Sequence, residues 1–529
     1  MNKKNLVKLY AAYKSGMIGD NIFVTYFSFF ANIILSNGIT VVEVSQIAES
    51  FEKRYEYPLS LDFVRQVLGV GMDNGSFIDD RGKYIVRPDV LKQFEFSHTD
   101  FDIMWSELLQ SFCHYCEQQN IVLDWDSVEN NILNSLDNTD EVILSGISES
   151  ECTIPFDFAW HSYIREISAT NTEMFDYVTA LCASNITKQA IFYSCDNGSD
   201  YSSLCAYLDS PMVFSLLGMD TPQRADSYKL LIQNMKKAGC TICVLDHNFV
   251  EIEGILNRAA GWAVSNQYDM VKANNAARFF HDSQMSAEEI TEFCSLIEDK
   301  LNELGIVIKE TSYDLFLNQF QEDEQILYDM IRQRYTDQCL AILPEKEESI
   351  RIDVRSIIMI YRERQGRAST RITEAGHIML TTNNAIANVC KKYESNKSIN
   401  SGHIPACVSA DLFGAILWLT SPINMMNYQR KKLLADCYEF LQPSKELIER
   451  YIESLELAKN LGEIDEKKYL FMKTHRVVLD ALMNVTRGDY ARFDDRTYLE
   501  VYDLIVAKSE KSFRMKLLLI FIQKKLLMR

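Results

Sequence analysis

Apolar residues recur every three or four positions along most of this chain, the spacing of helices that bury one face. The stripes are clearest in 44–51, 104–116, 158–167 and 224–237, where Tyr228, Leu231 and Met235 share a side. Ile290, Cys294, Ile297, Leu301 and Leu304 form another stripe, opened by the capping box Ser286-x-x-Glu289 and closed by Gly305. Leu447, Ile448, Tyr451, Leu455 and Ala458 form the last, ended by Gly462; a further helix from Ile464 to about Asn484 completes an αα-hairpin. Three short segments break the helical period. The runs 204–208, 240–245 and 377–381 suit strands buried on both faces, as in a parallel sheet. They lead into Asp209-Ser210, into Asp246-His247 and into Thr382-Asn383-Asn384.

The sequence has 529 residues, enough for about three or four domains. With 20 glycines and 9 prolines it is poor in turn formers, which favours helix. The expected fold class is α/β, mostly helical overall, with a parallel sheet flanked by helices in the third of four parts. The boundaries are 1–96, a helical connector 97–198, an α/β domain 199–424 with a helical insertion about 265–345, and a helical module 425–529.

In the first part, 44–51 is helical and Ser60 caps a second helix, Leu61 to Gly71. Phe77-Ile78 and Tyr84-Ile85-Val86 then flank the charged tip Asp79-Asp80-Arg81-Gly82-Lys83, the pattern of a hairpin. Helix, turn, helix, hairpin resembles a winged helix. That resemblance implies a major-groove helix carrying Arg65 and a wing carrying Arg81 and Lys83 as nucleic-acid contacts. Such modules also dock proteins, and Asp62, Asp79 and Asp80 stand beside these contacts.

Charge narrows the partners. The net charge is −20, and residues 93–424 alone hold 23 basic against 48 acidic residues. An acidic body repels a phosphate backbone, so nucleic acid requires local basic patches, divalent metal or the more neutral ends. Thirteen cysteines without a secretory leader point to free thiols in a reducing, cytoplasmic compartment. The uncharged stretch 21–42 is interrupted by Asn21, Asn32, Asn37 and Gly38 and reads as a buried helix, not a membrane span. Six consecutive apolar residues, 517–522, give the basic tail 508–529 the character of a core or interface helix. Cys113 and Cys116 share a helical face without a second pair, and Cys240 and Cys243 face opposite sides of a strand, so zinc is not expected.

The candidate chemistry lies where the apolar runs end. Asp209 ends the first; Glu251 and Glu253 follow the second in a loop entering a helix; Asp353 sits in the first turn of a helix starting at Arg351. Ligands of open α/β sheets bind beyond the carboxyl ends of the strands, so these groups can converge. Acids gathered there repel one another unless a cation neutralises them, and oxygen ligands suit Mg²⁺ or Mn²⁺. Singly, Asp209 also reads as a helix cap and the other two as first-turn acids favoured by the helix dipole. His247 beside Asp246 reads as a locally bonded histidine, and no phosphate-binding glycine loop is present.

At strand-Asp209-Ser210, the helix-opening glutamate, Asp353 and Leu380-Thr-Thr-Asn383, the chain resembles the PIN-like nuclease family over about residues 200–420. The resemblance implies metal-dependent phosphodiester hydrolysis, most often of RNA. Asp209, Glu251 and Asp353 would be the metal ligands, with Ser210 and Thr382 in support and Glu253 as the substitute for Glu251. Asn383 stands where many members place a fourth acid. Arg362, Arg364 and Arg367 form a basic cluster that could hold the nucleic-acid backbone.

The expectation is a cytoplasmic metal-dependent nuclease acting on RNA more than DNA, compatible with regulated cleavage or defence against phage. A homo-oligomer through the C-terminal helices and a separate ATPase or sensor are its implied partners. The rival is a catalytically silent PIN-like scaffold that regulates by binding DNA or protein; Asn383 favours it.

Overall fold

A computed structural model describes residues 22–55, 59–80, 83–95, 99–138, 154–190, 200–265, 268, 273–310, 322–337, 344–397, 403–420 and 425–509. The first part runs α1 (Ile22–Ser36), β1 (Val41–Val42), α2 (Val44–Tyr55), α3 (Leu61–Asp73), β2 (Phe77–Asp80) and β3 (Lys83–Val86). Ser60 caps α3 as its position suggests, accepting from the Phe63 amide at 3.2 Å. The strands form an antiparallel sheet in the order β1-β3-β2; the two-residue β1 is too short to show in the apolar pattern. The uncharged stretch becomes α1, whose Phe23, Phe27 and Phe30 are buried. Gly71 on α3 gives the Phe77 ring room, because a Cβ there would fall 2.3 Å from Phe77 Cδ2. Among the described residues no helix is long and apolar enough to cross a membrane. Arg81, at the hairpin tip, lies outside the described residues.

The connector is helical: α4 (Thr99–Gln118), α5 (Trp125–Asn138), α6 (Ile154–Thr170) and α7 (Thr172–Ala190). Phe112 and Tyr163, with their ring centroids 5.3 Å apart, both meet Trp160 in its core.

The α/β part is built on five parallel strands: β4 (Cys205–Leu208), β5 (Thr241–Leu245), β6 (Val307–Lys309), β7 (His377–Thr381) and β8 (Cys407–Ser409). Their spatial order is β6-β5-β4-β7-β8. After β4 come α8 (Ser210–Leu216) and α9 (Pro222–Lys237); after β5 come α10 (Asp246–Ala263), α11 (Asn275–Asp282), α12 (Ala287–Ser295) and α13 (Ile297–Glu303). Between β6 and β7 lie α14 (Glu324–Asp337) and α15 (Pro344–Glu363), and α16 (Asn384–Lys397) joins β7 to β8. Side chains alternate across the sheet. Ala206, Leu208, Ile242, Val244, Ile378 and Leu380 pack into a core shared with α8, α9 and α10. Tyr207, Cys243, Leu245, Met379 and Cys407 pack into a second core with α14, α15 and α16. The result is a mostly helical α/β protein with a doubly covered parallel sheet.

Several expectations are corrected. The insertion 265–345 is not all helix, since β6 extends the sheet with three residues, too few for the pattern to reveal. The helix carrying Asp353 begins at Pro344, so Asp353 sits mid-helix; proline at a first helical position needs no amide partner there. No loop separates β5 from α10, which starts at Asp246 itself. The capping box of Ser286 and Glu289 forms as expected, but the stripe beyond it splits at Leu296.

The chain continues as α17 (Ala410–Thr420), α18 (Met425–Phe440), α19 (Lys445–Asn460), α20 (Glu466–Thr474) and α21 (Arg476–Thr486), then a helical run over 497–509. The expected hairpin partner of α19 is thus two helices, broken where His475 adopts extended backbone (φ −88°, ψ 129°). Residues 510–529, most of the basic tail, lie outside the described residues.

Candidate functional site

Strands β4 and β7 are neighbours in space although β5 and β6 intervene in sequence, and their crossover helices cover opposite faces. The carboxyl ends of β4 and β7 are therefore the topological switch point, where open α/β sheets take ligands. Asp209 stands there. Its Oδ1 caps α8 by accepting from the Met212 amide at 2.9 Å. Its Oδ2 accepts from Thr381 Oγ1 at 2.6 Å and from the Thr382 amide at 3.0 Å, both at the end of β7. Asp209 is 3% exposed. Burial pushes its carboxyl up to about 6 against the opposing pull of those three donors, and neighbouring Glu251 adds to the rise.

Glu251 is on the second turn of α10, where Ser210 Oγ donates to its Oε2 at 2.5 Å. Its carboxyl is raised by burial, with Ser210 and Asn248 opposing. Asn248, one turn earlier and buried, accepts from Ser356 Oγ at 2.9 Å, which docks α15 on α10. His247 Nε2 lies 2.9 Å from the same hydroxyl. Burial, with Arg355 nearby, pushes His247 down to about 4, so it is neutral at pH 7 and serves this docking. Asp353 is half-buried on α15, three residues before Ser356. Glu253 is exposed and near Cys294, two residues and a wide turn of helix from Glu251. It is no substitute for Glu251 at the switch point.

Asn383 is committed to the fold. Its Nδ2 donates to Tyr335 Oη at 2.6 Å, and its Oδ1 accepts from the Ala385 and Ile386 amides at 3.0 and 3.4 Å, capping α16. The structure thus brings together Asp209, Ser210, Glu251, Thr382 and Asn383.

This set does not fit a magnesium or manganese centre. Such ions require several convergent oxygen ligands, and among the described residues no group of three or more His, Cys, Asp or Glu side chains is arranged to hold a metal. Asp209 already accepts three hydrogen bonds from the protein, out of about four acceptor positions on a carboxylate. The cap reading of Asp209 is the one its geometry realises.

The basic residues divide. Arg362 and Arg364 are each 4% exposed, which corrects their expected role on a backbone-binding patch. Arg362 Nη2 donates to Glu324 at 3.2 Å. Arg364 donates to the carbonyls of His377, Ile404 and Pro405 at 2.7, 2.7 and 2.8 Å, filling acceptors just before β8 and at the start of β7. Continuing the buried face of α15 carries both inward. Arg367 is exposed. In the first part, Arg65 pairs with Asp62 at 2.5 Å and Lys83 with Glu43 at 2.8 Å, so their charges are locally balanced. Val41, Ile85 and Ile78 stand directly opposite one another across β1, β3 and β2, all three exposed.

One cluster escaped the sequence reading. Asp411, on the first turn after β8, pairs with Lys432 at 3.1 Å and accepts from Tyr428 at 3.1 Å. Lys432 also reaches Asp436 at 3.5 Å; Arg224 reaches Asp436 at 3.7 Å, Asp220 at 3.4 Å, and Glu439. Of these groups Arg224, Asp411, Lys432 and Asp436, with Thr382 and Asn384, line a cavity of about 30 Å³, the space of one water molecule. A wider cleft of about 430 Å³, bordered by Arg224, Arg278 and Asp282, opens beside α11. The three-residue β8 hid Asp411 as a strand-end acid, and Lys432 meets it only through the packing of α18.

No protein-family model, curated protein or solved structure matches this chain.

Proposed function

We propose that this chain is a regulator that acts by binding: a PIN-like α/β domain whose carboxylate site is closed and serves as a scaffold, preceded by a winged-helix-like module that docks a protein partner. The observation that carries this reading is Asp209, buried and bonded to three donors that tie β4, β7 and α8 together. The parallel order with an acid at its switch point supports the PIN-like reading. The order helix, strand, helix, helix, hairpin supports the winged-helix-like one. Protein is favoured over DNA as the partner because Arg65 and Lys83 face acids at close range while Val41, Ile85 and Ile78 form an exposed apolar row.

A second reading, metal-dependent cleavage of RNA or DNA with Mg²⁺ or Mn²⁺, is favoured by one observation. Asp209 and Glu251 lie near each other at the switch point, both with raised carboxyls, a pattern typical of functional sites. One assay separates the two. Full-length protein and Asp209→Asn are incubated with labelled single-stranded RNA, single-stranded DNA and duplex DNA, with Mn²⁺, with Mg²⁺ and with chelator. The scaffold reading expects uncut substrate throughout. Metal-dependent cleavage that Asp209→Asn abolishes would overturn it and establish the second reading.

A further inference from the structure

At the amino end of the same sheet, two thiols meet. Cys205 opens β4 and Cys243 is the third residue of β5. The register pairs Cys205 with Thr241 and Tyr207 with Cys243, so the cysteines are diagonal neighbours on adjacent parallel strands, both facing the second core. Their Sγ atoms are 3.3 Å apart.

The surroundings are polar and reach the surface. Lys309, on β6, donates from Nζ to Tyr207 Oη at 2.7 Å and pairs with Glu363 at 3.1 Å; its side chain is 33% exposed. Tyr207 Oη is also 3.1 Å from His377 Nδ1. Cys205 is half-buried and Cys243 is buried, an exposed-side and an inner thiol. All ten cysteines among the described residues are free.

We propose that Cys205 and Cys243 are a redox-active dithiol that reacts with hydroperoxides, Cys205 as the attacking thiolate and Cys243 as the resolving thiol. The Cys205 sulfur attacks the terminal peroxide oxygen, the O–O bond breaks, and the alkoxide leaves to take up the proton that Cys205 released on ionising. A sulfenic acid remains on Cys205. Cys243 then attacks that sulfur, forming the S–S bond and breaking S–O, and the hydroxide leaves with the Cys243 proton as water. Two thiols are oxidised by two electrons, and one hydroperoxide is reduced to an alcohol and water.

The electrostatics point the same way. The hydrogen bond from Cys243, joined by His377, Tyr207 and the Lys309 charge, lowers the Cys205 thiol against the effect of its burial. The same bond, with burial, raises Cys243. Forming the disulfide closes the present 3.3 Å contact to a bond of about 2.05 Å. Cys407 with its hydrogen-bonded neighbour Cys390, a further pair in the same second core, is wholly buried and out of an oxidant's reach.

The test uses reduced, full-length protein treated with graded hydrogen peroxide, then with N-ethylmaleimide, and mapped by peptide mass spectrometry. The expected result is a Cys205–Cys243 linked peptide that appears at about tenfold lower peroxide than loss of the half-buried Cys113 or Cys294, and that dithiothreitol reverses. In Cys243→Ser, dimedone traps sulfenic acid at Cys205; in Cys205→Ser, Cys243 stays a free thiol at the same dose, read by alkylation after denaturation. The proposal is overturned if wild-type Cys205 is consumed no faster than Cys113 and Cys294, or is oxidised to sulfinic acid without any linked peptide. The wild-type measurement decides this whether or not either variant folds.

Discussion

Strand β4 carries a reactive-looking side chain at each end, and the two ends are built on opposite logics. At the carboxyl end, Asp209 is sealed in and both oxygens are occupied by the fold's own donors. At the amino end, Cys205 is half-buried and faces a second thiol with no covalent tie, within a ring of Tyr207, His377 and Lys309 that opens to solvent. They are only four positions apart in the sequence. The lesson is that a titratable group at a strand end is chemically available in proportion to what its neighbours leave unsatisfied, and the group with the familiar position is here the less available one.

The sharpest break of this contrast would come from a residue that braces the amino end without taking part in its chemistry. Arg364 supplies three donors to the carbonyls of His377, Ile404 and Pro405. Replacing it by alanine strands three buried acceptors and leaves a cavity, a loss of about 4 kcal/mol or more. A chain of several parts does not unfold in one step, so the readout is hydrogen exchange, which should accelerate in β7 and β8. Unchanged exchange there would show that Arg364 does not brace the sheet.

At the carboxyl end, Asp209→Ala removes a helix cap and leaves Thr381 and Thr382 without their acceptor, a loss of about 3 kcal/mol. Exchange should accelerate at the ends of β4 and β7 and in the first turn of α8. The pH dependence carries a definite sign. Burial raises the Asp209 carboxyl to about 6 in the fold, above its value of about 3.9 in the unfolded chain. The folded state therefore holds the extra proton between these values. The stability it contributes is complete below about pH 4 and is lost as pH rises through about 6, up to roughly 3 kcal/mol in total. Asp209→Asn should flatten that slope between pH 4 and 6. An identical slope in the variant would mean that Asp209 titrates as an ordinary carboxylate.

How much of this was legible beforehand follows from what each feature depends on. The central strands announced themselves because a strand buried on both faces reads as a continuous apolar run, and Asp209 and Ser210 stand at the end of such a run as expected, whereas Glu251, expected in a loop, is on the second turn of α10. Asp353 was misplaced by about two turns of helix, since Pro344 and the charged residues after it look like a loop and yet begin α15. β6 and β8 have three residues each, below what periodicity can resolve, and with them went Asp411 and its ion-pair cluster. Arg362 and Arg364 looked like a surface run because sequence shows charge and not the carbonyls waiting for it across the sheet. Cys205 and Cys243 were read as ordinary thiols, and only the pairing of β4 with β5 makes them neighbours.

The smallest effects compare the two ends directly, one hydroxyl against another. Tyr207→Phe removes the oxygen shared by Lys309 and His377, while Lys309 keeps Glu363, so about 1 kcal/mol is expected at the amino end. Ser210→Ala removes a single donor from Glu251, which is half-buried and keeps Asn248 within bonding distance and water at its edge, so the loss should be about 0.5 kcal/mol. The two substitutions also differ in what else they change. Tyr207→Phe strips one of the groups that favour the Cys205 thiolate and should slow its alkylation at pH 6.5, whereas Ser210→Ala should leave that rate alone. Equal slowing by both would mean that Cys205 responds to the general looseness of β4 and not to its own ring of donors, and the two ends of the strand would then be one coupled site.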